Sequence, residues 1–334
     1  MNDQALMARA IELSLLGSTA PNPHVGCVIA VNGEIVGEGY HERAGGDHAE
    51  VAALKMAGER ARGGTAYVTL EPCNHQGRTG PCTEAMIAAG VMRLVYAVAD
   101  PNPRAAGGAE RMRAAGLQVE HGLLAAEAEA ANEAWLTAVR RGRPWVRLKV
   151  AASMDGRIAL PSSESKWITG EKIRQRMHRL RAESAAIVVG RRTVEVDDPL
   201  LTPRGEGLGG ITPLRVVLDP SSKLDTARYR VFGADAPTLH VTGETHIQDL
   251  LDDLFERGLT SVLVEGGAVT HRSFLEADCV DEIVLCLGNV ILGDGPSWVS
   301  GLDLESLGEA SRWRLESTEA IDNDCLIKFR RQTS

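Results

Sequence analysis

The chain has 334 residues, 44% of them hydrophobic but only 4% aromatic, and a net charge of −9. That length favours two domains over one, and the shortage of aromatics leaves aliphatic side chains to fill the cores. Both halves are acidic, with 13 Lys/Arg against 16 Asp/Glu over 1–145 and 23 against 29 beyond, which argues against a nucleic-acid or membrane-surface binder but leaves room for a local basic site. No apolar run is long enough to span a bilayer and the N-terminus has no signal-peptide pattern. Six cysteines in a chain this long, two of them in a metal-binding pattern, predict cytoplasmic thiols rather than a disulfide framework. Cys27, Cys279, Cys286 and Cys325 read as buried small hydrophobes.

In chain order, Ala5, Leu6, Ala10, Leu13 and Leu16 recur at helical steps and predict a helix over 3–16, closed by Gly17. Pro21-Asn22-Pro23 forces a rigid extended loop. Val25–Val31 and Glu34–Tyr40 read as strands joined at Asn32-Gly33, a hairpin signal. A helix follows His48, with Val51, Leu54 and Gly58 on one face. Thr65–Leu70 reads as a strand leading into Glu71-Pro72-Cys73. Pro81 stands at a helix start, where its missing N–H costs nothing, and the helix from Cys82 runs to Gly90. A strand over 91–98, helices over 105–115 and 124–139 and a short strand near Gln118–His121 complete an alternation that argues for an α/β/α layered domain.

Two stretches in this half carry chemistry. His48-Ala49-Glu50 alone is a weak motif, since i and i+2 diverge on a regular helix, so both are placed at the helix entry. With Cys73 and Cys82 it becomes one histidine and two cysteines, three ligands for a tetrahedral zinc whose fourth position stays open for catalysis. Such a zinc lowers the pKa of its water to about 7 and leaves Glu50 free to move protons. Zinc nucleobase deaminases show H-x-E followed by P-C-x-x-C; here eight residues separate the cysteines instead of two. Cys82 lies in a first helical turn, where thiolate is stabilised. His75 and Arg78 lie in the loop between the cysteines and suit an anionic substrate group such as phosphate. His75 as a fourth ligand would instead make the site closed and structural.

Arg140-Arg141-Gly142-Arg143-Pro144 is a basic break and sets the expected boundary, giving domains 1–143 and 144–334. Beyond it, strands are expected at Val146–Ala152, Ala185–Val189, Arg215–Leu218, Thr238–Val241, Ser261–Glu265, Asp281–Leu287 and Leu326–Arg330, and helices at Glu171–Arg181 and Val269–Ala277. Gly190 opens a further element and Val196–Thr202 reads as a loop. Gly266-Gly267, between strand and helix, offers backbone N–H groups to an anion, though it is not a dinucleotide fingerprint. These residues describe a mixed α/β unit without disclosing its chemistry.

The stretch from Thr69 to Cys82, with Pro21–Cys27 and Asp100-Pro101-Asn102-Pro103, resembles the deaminase half of the bifunctional riboflavin-biosynthesis deaminase-reductases. Lys149–Gly156, Ser165–Thr169, Thr193–Thr202 and Val264–Gly267 resemble the reductase half. The likeness implies an N-terminal cytidine-deaminase-like domain and a C-terminal dihydrofolate-reductase-like α/β domain. It implies zinc-dependent deamination of a diaminopyrimidine carrying ribosyl phosphate, then reduction of the ribosyl group to ribityl by NADPH. By position, His48, Cys73 and Cys82 are the zinc ligands, Glu50 is the proton shuttle, and Asn22, His75 and Arg78 touch the first substrate. Ser165, Arg181, Leu201, Arg204 and Glu265 match substrate positions of the reductase, Lys149 is a candidate substrate or transition-state contact, and Ala151, Trp167, Thr193, Asp197 and the run from Gly267 match NADPH positions. A cytoplasmic homo-oligomer, dimer or tetramer, is implied, with no nucleic-acid or membrane partner. Gly80 replaces a frequent proline, and Pro220 stands where a serine can contact the cofactor. For the 2′-phosphate of NADPH, Arg191 or Arg192 is the expected contact. The competing readings are a nucleoside or nucleic-acid deaminase with an unrelated C-terminal domain, against which the acidic balance and the cysteine spacing speak, and a structural zinc module closed by His75.

Overall fold

A computed structural model describes residues 1–75 and 80–332, and the chain forms two compact units that meet in sequence at Gly142 and Arg143. In the first, the elements run α1 (Asp3–Ser14), β1 (Gly26–Val31), β2 (Glu34–Tyr40), α2 (Ala49–Ala57), β3 (Thr65–Leu70), α3 (Cys82–Ala88), β4 (Arg93–Val98), α4 (Gly108–Ala114), β5 (Gln118–His121), α5 (Ala125–Ala131) and α6 (Glu133–Arg141). The sheet order is β2-β1-β3-β4-β5. β1 is antiparallel to both neighbours, and β3, β4 and β5 are parallel. One face buries Cys27, Ile29, Val68 and Leu94 against Ala53 of α2, Met86 of α3 and Met112 of α4. The other buries Val28, Tyr67 and Val95 against α1 and α6 through Leu6, Met7, Ala10 and Leu136. The expected three layers are present.

Close packing puts the ligand-bearing segments in place. A Cβ at Gly39 of β2 would overlap the Ala49 carbonyl and the Ala53 amide, so only glycine lets the start of α2 sit this low on the sheet. A Cβ at Gly108 would overlap the Pro72 carbonyl, so α4 begins hard against the residue before Cys73. Two expected helices differ in their bounds. Gly107, at φ 92, precedes α4 and delays its start from 105 to Gly108. The helix expected over 124–139 is two, broken at Asn132, whose side chain is taken up by the His24 backbone amide at 3.1 Å and whose φ is −124.

The second unit runs β6 (Trp145–Ser153), α7 (Glu171–Ala182), β7 (Ala186–Gly190), α8 (Arg191–Asp197), β8 (Leu214–Asp219), β9 (Thr238–Thr242), α9 (Ile247–Glu256), β10 (Ser261–Val264), α10 (Ala268–Glu276), β11 (Glu282–Gly288), β12 (Trp313–Ile321) and β13 (Asp324–Arg331). Its eight-stranded sheet has the order β12-β13-β11-β6-β10-β7-β8-β9. From β11 to β9 neighbours are parallel, and β13 runs antiparallel to both β11 and β12. The central strands are covered on both faces, which is why they read as continuous apolar runs. α9 and β12 had no counterpart in the sequence expectations. α9 buries Leu250, Leu251 and Leu254 beneath an acidic outer face. β12 is an edge strand whose seven central residues are all exposed, so it has no apolar alternation to read. Cys27, Cys279 and Cys286 are buried as expected, whereas Cys325 is only half-buried.

A buried ion cluster joins β6, β11 and β13. Glu282, 1% exposed, lies 2.5 Å from Arg147 and 2.7 Å from Arg330. Burial pushes its carboxyl up, but the two guanidiniums outweigh burial and hold it at about 2. A carboxyl depressed below its unfolded value contributes stability above that value, and the contribution is lost as pH falls from about 4 toward 2. Glu282→Gln takes the carboxylate from the buried Arg147 and leaves Arg330 with Glu316 at 3.1 Å, and is expected to cost about 3 to 5 kcal/mol. Trp145 Nε1 points at this carboxylate from 3.4 Å, so tryptophan fluorescence during urea unfolding measures the loss.

Candidate active sites

The first site gathers at the start of α2. His48 is the residue before the helix and has extended backbone (φ −70, ψ 156), and Glu50 is in the first turn. That break in helical geometry lets both side chains face one centre despite their i, i+2 spacing. Cys73 follows the end of β3, and Cys82 opens α3. His48 Nδ1 is 3.2 Å from Cys82 Sγ and 3.5 Å from Cys73 Sγ, and all three ligand atoms lie within 4.8 Å of one another. Bond lengths to tetrahedral zinc imply a nitrogen-to-sulfur edge of about 3.6 Å, so the three atoms fit a zinc ion with a fourth position left over. Cys73 is held well below the usual thiol value, first by its hydrogen bond from Cys82, and Cys82 is raised in return.

Glu50 is 4% exposed and is not part of the ligand cluster. Burial pushes its carboxyl up to about 7, the Cys73 side chain adds to this, and His48 opposes it. A cation among the ligands pulls the value down. Asn22 is half-buried, and its Nδ2 lies 3.0 Å from His41 Nε2. An amide N–H donates, so that ring nitrogen accepts and His41 Nδ1–H donates to the Asp47 carbonyl at 2.9 Å. The imidazole is therefore neutral, in keeping with burial lowering its pKa. His41 packs edge-on to His48 with centroids 5.6 Å apart. It was not singled out from sequence, where it is a lone histidine after a strand. His75 is exposed and stands outside the ligand cluster, contrary to a closed site. Arg78 lies outside the described residues. Asp100, in the quoted Asp-Pro-Asn-Pro stretch but given no role, is pushed up to about 6 by burial, with Glu71 and Cys73 adding to the shift.

The second unit holds a cavity of about 510 Å³. Its wall contains Lys149, Ala151, Ser165, Trp167, Thr193 and Asp197, together with Arg181, Leu201, Arg204, Glu265 and Gly267. Residues far apart in sequence meet because the parallel strands β6, β7 and β10 end at one edge. Glu265 follows β10 and accepts two hydrogen bonds from Arg181 of α7, at 2.6 and 2.9 Å. Lys149 Nζ lies 3.8 Å from the same carboxylate. Burial raises the Glu265 carboxyl, but Arg181 and Lys149 prevail and hold it at about 2. The Trp167 ring is 68% exposed, with the Arg174 guanidinium 4.5 Å above it.

Histidines 178 and 271 also line this cavity. Burial pushes both imidazoles down to about 4, with the Arg181 and Arg204 charges assisting at His178. Neither had a readable signal in sequence beyond its place on an amphipathic helix. The arginines expected to meet a 2′-phosphate are placed otherwise: Arg191 pairs with Glu195 at 2.5 Å, Arg192 donates to Ser163 at 3.2 Å, and neither lines the cavity.

Comparison with known proteins gives the same two parts. Residues 1–98 match the model of the cytidine and deoxycytidylate deaminase zinc-binding region, and residues 144–327 match the model of the RibD C-terminal domain. The riboflavin biosynthesis protein RibD of Escherichia coli (strain K12) is 40% identical, over 98% of this chain and 99% of its own. The protein of that name from Mycobacterium tuberculosis is 44% identical, over 97% and 96%. Among solved structures, RibD of Acinetobacter baumannii superposes with a TM-score of 0.89 at 37% identity over 99% of both chains. A diaminohydroxyphosphoribosylaminopyrimidine deaminase/5-amino-6-(5-phosphoribosylamino)uracil reductase from Thermotoga maritima gives 0.88 at 35% identity over 98% of both.

Proposed function

The chain belongs to the RibD family of bifunctional riboflavin-biosynthesis enzymes, and on that premise we propose how its residues divide the work. It is a zinc-dependent deaminase and an NADPH-dependent reductase. The substrate is a diaminopyrimidinone carrying a ribosyl phosphate, which loses an amine to water and then has its ribosyl group reduced to ribityl. Residues 1–143 take the deaminase role and 144–334 the reductase role, a division supported by the spans of the two family models.

In deamination His48, Cys73 and Cys82 would hold the zinc. Zinc supplies a water acidic enough to ionise near pH 7. Glu50, a buried carboxyl beside the ligands, would take a proton from the attacking water and give one to the departing amine. Asn22, oriented by His41, reads the pyrimidine edge, and His75 and Arg78 meet the phosphate. In the reductase unit NADPH supplies a hydride for C1′ of the ribosyl group. Trp167, Thr193, Asp197, Ala151 and Gly267 seat the cofactor, and Ser165, Arg181, Leu201, Arg204 and Glu265 seat the substrate. Lys149, steered by Glu265, stabilises charge on the ribosyl oxygen as the ring opens. The observation that carries this reading is the His48-Cys73-Cys82 cluster with Glu50 buried beside it. Metal analysis tests it: wild-type protein is expected to carry one zinc per chain and Cys82→Ser to lose most of it, and undiminished zinc in Cys82→Ser would remove Cys82 from the ligand set.

A cytoplasmic homo-oligomer completes the proposal. None of the six cysteines is in a disulfide, which suits a reducing compartment, and no helix among the described residues is long and apolar enough to cross a membrane. The exposed edge strand β12, with Leu315 at 54% exposure, offers a surface for a second copy. Sedimentation equilibrium decides it, a monomeric mass being the contrary result.

A further inference from the structure

The reductase cavity presents more positive charge than its own carboxylates neutralise. Lys149 and Arg181 share Glu265. Lys166 lies 3.5 Å from Asp197, and Arg174 donates to the Thr169 carbonyl. Two cations on the wall remain, Arg204 and Arg230. Among the described residues, neither guanidinium has a hydrogen bond or an ion pair. Arg204 is already expected to touch substrate; Arg230 was indicated by neither motif nor resemblance.

Both arginines line the cavity, and their segments are fastened together. Arg230 begins a single turn of 3-10 helix, Arg230–Phe232. Its backbone N–H donates to Asp198 Oδ1 at 2.8 Å. Arg215, fully buried, donates to the Leu200 carbonyl at 3.2 Å and to the Gly233 carbonyl at 2.7 Å. The loop so held carries two non-glycine residues in the left-handed region, Asp198 (φ 39) and Leu201 (φ 55). A buried guanidinium bonded to main-chain carbonyls is an expensive fastener, and this one fixes the relation between the Leu201–Arg204 segment and the Arg230 turn. His178, whose imidazole feels both Arg181 and Arg204, lines the same cavity. Arg181 is thus bound to a carboxylate, whereas among the described residues the side chains of Arg204 and Arg230 are not, the one oxygen of Asp198 at this turn being taken by the Arg230 backbone; their planar forks of N–H donors match the oxygens of a phosphate dianion.

We propose that Arg230, with Arg204, takes the 5′-phosphate of the reductase substrate and so makes this unit selective for phosphorylated ribosylaminopyrimidines. The proposal rests on the reductase reading above. NADPH also brings phosphates, and its expected contact Asp197 adjoins Asp198, to which the Arg230 turn is bonded; Ala151, Trp167, Thr193 and Gly267 belong to other segments of the wall, and the same bonded loop carries the substrate positions Leu201 and Arg204. The Arg230 side chain is exposed and its structural bond is made by its backbone, so replacing it leaves the fastening in place.

The test compares wild type with Arg230→Met in the full-length chain. It measures kcat/KM for the deaminated substrate and for its dephosphorylated counterpart, and separately the KM for NADPH. The ratio of the two kcat/KM values is expected to fall about tenfold to a hundredfold, with the NADPH KM unchanged and partial recovery in Arg230→Lys. An unchanged ratio, whether activity holds or falls equally on both substrates, would overturn the assignment. A rise confined to the NADPH KM would give Arg230 to a cofactor phosphate instead and overturn it too. Deamination by the same preparation reports intact protein. Absence of NADPH-dependent reduction in wild type would strike the reductase reading itself, which keeps the two failures distinct.

Discussion

Glu50→Gln is expected to slow deamination by about three to four orders of magnitude while zinc content and NADPH-dependent reduction stay at wild-type levels. Glutamine keeps the shape of the side chain at a site 4% exposed, so packing at the start of α2 is preserved. What it loses is the capacity to take a proton from the attacking water and to hand one to the leaving amine. Zinc is retained because the ligand cluster is His48, Cys73 and Cys82 without Glu50. The checks are single-turnover deamination, metal analysis and reduction of the deaminated intermediate in one preparation. Deamination within tenfold of wild type would take the proton shuttle away from Glu50.

Glu265→Gln has the mirror-image expectation. Its carboxylate is the anion that Arg181 grips with two hydrogen bonds and that Lys149 approaches to 3.8 Å. Removing the charge leaves two cations side by side on the cavity wall, and Lys149 moves off its line to the ribosyl oxygen. Misplacement on the scale of an ångström costs about a hundredfold, so the reductase kcat is expected to fall by about that factor with deamination intact. The pH profile adds a control. Because Glu265 is held at about 2, it is ionised throughout the neutral range and contributes no limb there. Its contribution to stability is present above the unfolded value and lost only as pH falls from about 4 toward 2. An ionisation near neutral pH that vanishes in Glu265→Gln would contradict this placement.

The alternation of strands and helices was legible in β1, β3, β6, β7 and β10, which bury one face or both, but not in α9, although it too buries one face. It was not legible for β12, which lies at a sheet edge with both faces wet. Nor was it for the break at Asn132, which depends on a hydrogen bond to the amide of His24, 108 residues away in sequence. The gathering of His48, Cys73 and Cys82 in one cluster that could hold a metal ion was legible because zinc chemistry restricts residue type. His41, His178 and Arg230 could not, since each becomes informative only through its neighbours in space. Arg191 and Arg192 show the converse: adjacent arginines at a helix start suggest an anion site, yet Glu195 and Ser163 engage them. The reductase site was visible only by resemblance, because hydride transfer asks the protein mainly to position two reactants and needs no single recurrent acid or nucleophile.

The central claim is that one chain performs both steps, in order, at two sites. Mass spectrometry of the diaminopyrimidine ribosyl phosphate after incubation with zinc-loaded protein tests this most directly, with and without NADPH. Exchange of one amine for one oxygen is predicted without cofactor, and a further gain of two hydrogens only when NADPH is present. An unchanged substrate mass in both incubations, or reduction without prior loss of the amine, would contradict the account.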